Sequence, residues 1–251
     1  MKHEAPVNSK HTPWFPHFQP SSRKRGVDFM TSIAELGFTK CVIVETIVST
    51  YNIDGQANAA PMGATMTSPQ HIALRVYISS LTYKNLQEKK SCVINVTYDP
   101  EVFYRTAFKE ANPKGTVSQE LFGKGETVDA PRLLVADANV EVTVADIRRF
   151  DVERAEVLCN VKLVQAASIL PKAYCRASFA TLEAIVHATR VEAFINHGDK
   201  QKREQALKLL ETIRECCDVV NRVAPNSHYS EIMTDLNQRI DSWRAKGESL
   251  R

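Results

Sequence analysis

A chain of 251 residues, 43% apolar and 24% charged, has the composition of an ordinary soluble globular protein and is long enough to bury a substantial core. Its formal net charge of +3 is small and much of the excess sits in the N-terminal tail, which speaks against nucleic-acid binding through a basic stripe. No apolar run approaches the roughly 20 residues of a membrane-spanning helix, and six cysteines without CxxC spacing or a signal peptide fit reduced core residues in a cytoplasmic protein.

Residues 1–28 carry Pro6, Pro13, Pro16 and Pro20, the histidines His3, His11 and His17, and the basic cluster Arg23, Lys24, Arg25. The prolines remove backbone donors, so a disordered tail is expected, and the histidine spacing matches no compact metal site. Trp14, Phe15 and Phe18 are unusual for such a tail and suit docking on a neighbouring subunit.

From Cys41 to Thr50 a β-branched run reads as a strand. Asn52-Ile53-Asp54-Gly55 follows, with Asp-Gly supplying the positive φ of a tight hairpin turn, and Ala57 to Thr67 returns. Within the return, Asn58-Ala59-Ala60-Pro61-Met62-Gly63 concentrates small residues and a proline. That composition fits either a kinked edge strand or a backbone that a flat ligand can approach closely.

A third strand spans His71 to Ile78, with Ile72, Leu74, Val76 and Ile78 on one face and Ala73, Arg75 and Tyr77 on the other. Arg75 is thus presented from a strand, as a solvated side chain or as a phosphate or carboxylate ligand. Ser79, Ser80, Thr82, Tyr83 and Asn85 open a short helix ending near Lys90. One hydroxyl would suffice for capping; three hydroxyls, an Asn and an upstream Arg at one helix start favour an anion site.

Ser91 to Thr97 is a fourth strand whose apolar run is interrupted by Asn95, a residue that needs a specific partner if buried. Asp99-Pro100 starts a helix with the cap and first-position proline in order, and Val102, Phe103, Ala107 and Phe108 face inward. Residues 111–130, rich in Gly, Lys, Asn and Thr, read as a long mobile excursion, a lid or dimer-contact loop. Strands at Ala138–Ala145 and Glu153–Val164 bring the total to about six in antiparallel order, the pattern of a small closed or split barrel. From Tyr174 the apolar period becomes helical, in three amphipathic runs separated by Gly198 and Pro225. Glu183 and His187, at i and i+4, suit a plain helix-surface pair better than an acid–base pair.

Glu45-Thr46, Thr50-Tyr51-Asn52, Asp54-Gly55, Asn58 to Gly63, Arg75, Thr82-Tyr83-x-Asn85-Leu86, Asn95-Val96 and Asp99-Pro100 together resemble the DUF447 family. That family looks like a branch of the FMN-binding split β-barrels, which include pyridoxamine-phosphate oxidases and flavin reductases. The resemblance covers residues 40–165, and Arg176-Ala177, Glu183-Ala184 and Ala188-Thr189-Arg190 resemble the start of the family's helical C-terminal part. It implies an α+β chain: a tail over 1–28, a split-barrel flavin-binding domain over 29–170 and a helical domain over 171–251.

The resemblance further implies FMN in a groove between the subunits of a homodimer. By position, Arg75, Ser79, Ser80, Thr82 and Asn85 would take the phosphate. The backbone of Ala60, Pro61, Met62 and Gly63 would face the isoalloxazine, Tyr83 would lie over the ring or ribityl chain, and Asn95 would support the cofactor or the sheet. No dinucleotide fingerprint is present, so a nicotinamide or deazaflavin donor would dock transiently against the flavin. The leading expectation is a flavin-dependent oxidoreductase of unknown small substrate; the alternatives are a non-catalytic flavin carrier or sensor, and an interaction protein on a barrel that has lost its cofactor.

Overall fold

The computed structural model describes residues 29–40, 42–112, 114–167 and 175–248. The expectations for the tail, Cys41, Pro113 and Tyr174 lie outside these residues. The strands are β1 (Phe29–Met30), β2 (Ile43–Tyr51), β3 (Ala57–Ser68), β4 (His71–Tyr77), β5 (Ser91–Val96), β6 (Phe122–Lys124), β7 (Pro131–Leu133), β8 (Ala138–Arg149) and β9 (Arg154–Ala166). The α-helices are α1 (Leu81–Lys89), α2 (Pro100–Ala107), α3 (Arg176–Phe194), α4 (Lys200–Val223) and α5 (His228–Glu248).

Six strands close into an antiparallel barrel in the order β9-β4-β3-β2-β5-β8, with β8 returning to β9. Alternation along each strand divides its side chains between two cores. Val48, Ala64, Leu74, Val76, Ile94, Val140 and Val157 fill the barrel. Ile33 and Phe38, each 1% exposed, join that core from the segment before β2. On the outer face Ile47 and Ala59 join a second core with Val102 and Phe103 of α2, Leu133 of β7, and Ile185, Ile213 and Leu236 of the three long helices. The helices are therefore built onto the outer wall of β2 and β3.

The punctuation read from the sequence acts as anticipated. Gly55 adopts φ +78° in the β2–β3 turn, where the Asn52 side chain accepts from the Gln56 N–H at 2.8 Å. Asp99 caps α2, accepting from the Glu101 N–H at 3.0 Å with Pro100 in the first turn, and Gly198 stands between α3 and α4.

The stretch 111–130 departs from its expected mobile excursion. Its described residues pack against the barrel, with Val117, Leu121, Val128 and Ala130 buried, and β6 within it forms a hairpin with β7 just beyond it. Buried polar groups of the barrel hold it. The fully buried Glu141 carboxylate accepts from the N–H groups of Glu126 and Thr127 at 2.7 and 2.6 Å and from the Thr127 hydroxyl at 2.6 Å. Ser49 donates to the Pro131 carbonyl at 2.5 Å. At Gly125 an added Cβ would sit 2.8 and 2.9 Å from the carbonyl oxygens of Ala130 and Val128, so only glycine fits this turn.

Lys90 ends α1 in the left-handed conformation, φ 54°, where a β-carbon is unfavourable. Its N–H donates to Leu86 O, a bond glycine keeps. Lys90→Gly is expected to stabilise the protein by about 1 kcal/mol, read as a higher urea midpoint at unchanged slope.

Candidate functional site

A split in the barrel wall creates the site. β3 and β4 pair only from Ala64↔Leu74 towards their turn. Beyond that point β3 continues beside β2 as far as Ala57↔Tyr51, and β4 continues beside β9 as far as Tyr77↔Arg154. The two strands thus part company, and the stretch Ala57–Gly63 keeps a partner on one side only.

The direction of its backbone groups follows from Ala57, whose N–H and C=O both meet the side-chain amide of Gln119, each at 3.0 Å. With the β2–β3 register unbroken, Ala59, Pro61 and Gly63 turn their polar groups to the side away from β2, which is open at Ala59 and Pro61 and meets the last β3–β4 pair, Ala64↔Leu74, beside Gly63. Pro61 brings no N–H to it, which is why a proline is tolerated inside this strand. Ala60 and Met62 instead spend their backbone groups on β2. Of the four edge residues named from the sequence, two therefore present backbone to the split and two do not.

Across the split, β4 turns into α1. The Ser80 N–H donates to Tyr77 O at 3.0 Å, and its hydroxyl caps α1 by accepting from the Tyr83 N–H at 3.1 Å. Ser79 is exposed and Tyr83 half-buried. Arg75 is exposed and stacks on Phe150, its guanidinium carbon 4.0 Å from the ring centroid. Tyr77, Leu81 and Phe150 expose apolar surface beside it.

Thr82 and Asn85, named from the sequence with the same group, turn inward. Thr82 is 2% exposed and accepts from the Asn58 amide at 3.4 Å; Asn85 is 1% exposed and donates to the Thr50 hydroxyl at 2.9 Å. They fasten α1 across β2 and β3. Asn95 stands apart from the whole group, under the β6–β7 hairpin. Its amide nitrogen donates to Ile47 O at 2.7 Å and Ser49 Oγ at 2.8 Å, and its oxygen accepts from Leu133 N at 2.8 Å and Asn139 Nδ2 at 2.9 Å. Of the two roles set out for Asn95, these bonds serve the sheet and leave its amide no capacity for a ligand.

Lys109, just beyond α2, was not visible as a site residue. Its ammonium donates to the Asn58 side-chain oxygen, and burial pushes its pKa down. Nothing in the sequence marks it, because a lysine after an amphipathic helix ordinarily faces water.

A second polar group lies near the start of β2. His187 Nε2 is 3.1 Å from Glu183 on α3, while its Nδ1 is buried and has no hydrogen-bond partner among the described residues. Glu45, opposite Gly63 on β3, has its carboxyl raised above the usual range, chiefly by loss of solvent, with Arg190 opposing the rise and Glu183 adding to it. Burial pushes the nearby Cys216 thiol up to about 11, which leaves it unsuited to act as a thiolate. No cluster of three or more metal-ligating side chains occurs among the described residues.

Residues 44–168 match a family described as protein of unknown function (DUF447), N-terminal domain. Among solved structures, an FMN-bound protein of that family from Methanosarcina mazei is 24% identical, with a TM-score of 0.66 over 82% of this chain and 98% of its own. A 2-nitrobenzoate 2-nitroreductase from Pseudomonas fluorescens is 23% identical, with a TM-score of 0.40 over 50% of this chain and 66% of its own. An FMN-binding protein from Thermus thermophilus, with bound 1-cyclohex-2-enone, is 14% identical, with a TM-score of 0.43 over 49% of this chain and 71% of its own. The first of these shares the fold, a split barrel followed by helices.

Removing the Asn95 amide would orphan the Leu133 N–H and the Asn139 amide in the interior. Asn95→Ala is expected to cost roughly 2–5 kcal/mol, read as a lower urea midpoint at unchanged slope.

Proposed function

From the premise that the chain belongs to the DUF447 family through residues 44–168, we propose that it binds FMN in the split between β3 and β4 and works as a flavin-dependent oxidoreductase on a small organic substrate. The observation that carries the reading is the backbone edge of Ala59–Gly63, without a strand partner on one side, facing the start of a capped helix.

The residues fit the group. A phosphate dianion needs donors and positive charge, which the Ser79 and Ser80 hydroxyls, the first-turn N–H groups of α1 and Arg75 supply. An isoalloxazine presents donors and acceptors along its rim, and the edge at Ala59, Pro61 and Gly63 offers both N–H and C=O groups. Tyr83, half-buried on α1, would lie against the ring or ribityl chain. Thr82 and Asn85 would act one step back, fixing the helix whose N-terminus meets the phosphate.

FMN would supply the electron or hydride transfer, and the protein binding, orientation and hydrogen bonds at the ring. A nicotinamide or reduced deazaflavin would deliver electrons by docking against the exposed flavin face. The apolar surface of Tyr77, Leu81 and Phe150 beside the split suits a second copy of the chain, so that the assembled site would lie at a homodimer interface. Free cysteines, five among the described residues, fit a cytoplasmic setting.

The purified protein is expected to be yellow or to take up FMN at micromolar concentration, and to lose flavin absorbance on adding NADH, NADPH or a reduced deazaflavin. A protein that takes up no FMN contradicts the reading; one that binds it and is reduced by no donor is a carrier or sensor. Arg75→Ala is expected to weaken FMN binding about ten- to a hundredfold, whereas an unchanged affinity would leave Arg75 as a surface residue stacked on Phe150.

A further inference from the structure

Lys109 is placed where its charge has no internal purpose. α2 packs on the outer face of β2 and β3, where Phe103 shares a core with Ile47 and Ala59. The Asn58 side chain belongs to the opposite, inner face, since Asn58 pairs with Thr50 and its amide reaches Thr82. Because Lys109 follows α2 on the outer face and Asn58 belongs to the inner one, its side chain passes the free edge of β3 to bond Asn58, next to Ala57 with its Gln119 cover. Its ammonium therefore arrives in the split, one side chain away from the first turn of α1.

No carboxylate among the described residues compensates it. The adjacent Glu110 is held by Arg239 at 2.6 Å, and among the described residues the only group bonded to the ammonium is the neutral Asn58 amide. Burial with no opposite charge disfavours the ammonium form, in line with its lowered pKa. A half-buried ammonium without a counter-ion is a net cost to the fold unless a ligand provides the charge.

Resting on the FMN reading above, we propose that Lys109 is the counter-ion of the ligand's phosphate, reaching it from the β3 bank of the split as Arg75 does from the β4 bank. Asn58 positions the ammonium, and Thr82, holding Asn58, links it to the helix start. The pairing of a lysine with a dianion sets a preference for phosphorylated flavin over riboflavin.

The test compares dissociation constants for FMN and riboflavin, by quenching of flavin fluorescence, in the wild-type chain, Lys109→Met and Lys109→Arg. Lys109→Met is expected to weaken FMN binding at least tenfold, leave riboflavin binding within twofold and raise the melting temperature of the flavin-free protein; Lys109→Arg is expected to recover most of the FMN affinity. An unchanged FMN affinity, or an equal loss for both flavins, would overturn the role at the phosphate. A melting temperature for flavin-free Lys109→Met below that of the wild type would show that the lysine is a structural prop and overturn it likewise. Wild-type protein that binds neither flavin would sink the FMN reading itself, an outcome distinct from these.

Discussion

Along Ala57–Gly63 the strand β3 has a strand partner on one side and none on the other, and a strand edge left in that state must be covered, paired or put to use. Here it is covered at one end by the Gln119 amide, and Pro61 removes a donor from its middle. What is left is a short row of backbone groups held rigid by β2 and facing a helix N-terminus. Backbone groups fixed in this way cannot relax onto one another, so they are preorganised for a planar ligand with polar atoms along its rim.

The rest of the chain keeps that opening in place. β2 is shared by both cores: Val48 anchors it to the barrel interior and Ile47 to the helices outside, so neither face can shift without disturbing packing on the other. α1 is tied down by Asn85 on Thr50 and by Thr82 on Asn58, which fixes the distance between the helix start and the free edge. α2 is held through Tyr104, and the turn after it through Glu110, both bonded to Arg239 of α5, and so α5 braces the turn that carries Lys109. The helical third supports the site from outside the barrel.

The six barrel strands, the turn at Asp54-Gly55, a hydroxyl cap at the start of α1, the cap at Asp99 and the three long helices were legible because period, punctuation and capping are local properties of sequence. What was illegible depended on partners distant in the chain. The β6–β7 hairpin has a loop's composition and is made a structure by Glu141, Ser49 and Asn95. Asn95 announced itself as a buried polar residue, yet its partners lie on β2, β7 and β8, which no spacing specifies. Thr82 and Asn85 shared a helix start with Ser79 and Ser80, and only the packing of α1 on β3 sends them inward. Lys109 carried no signal at all, since its position over the β3 edge arises from where α2 docks. The split itself was half legible: Pro61 among small residues marked an edge, and the parting of β4 from β3 had to be seen.

An experimental structure of the protein crystallised with FMN tests the central claim most directly. Density for the flavin is expected between β3 and β4, with the phosphate in hydrogen-bond reach of Ser79 and Ser80 and the ring rim along Ala59 to Gly63. Flavin bound elsewhere on the chain, or a β3 edge closed by continued pairing with β4 past Ala64 and Leu74, would contradict it.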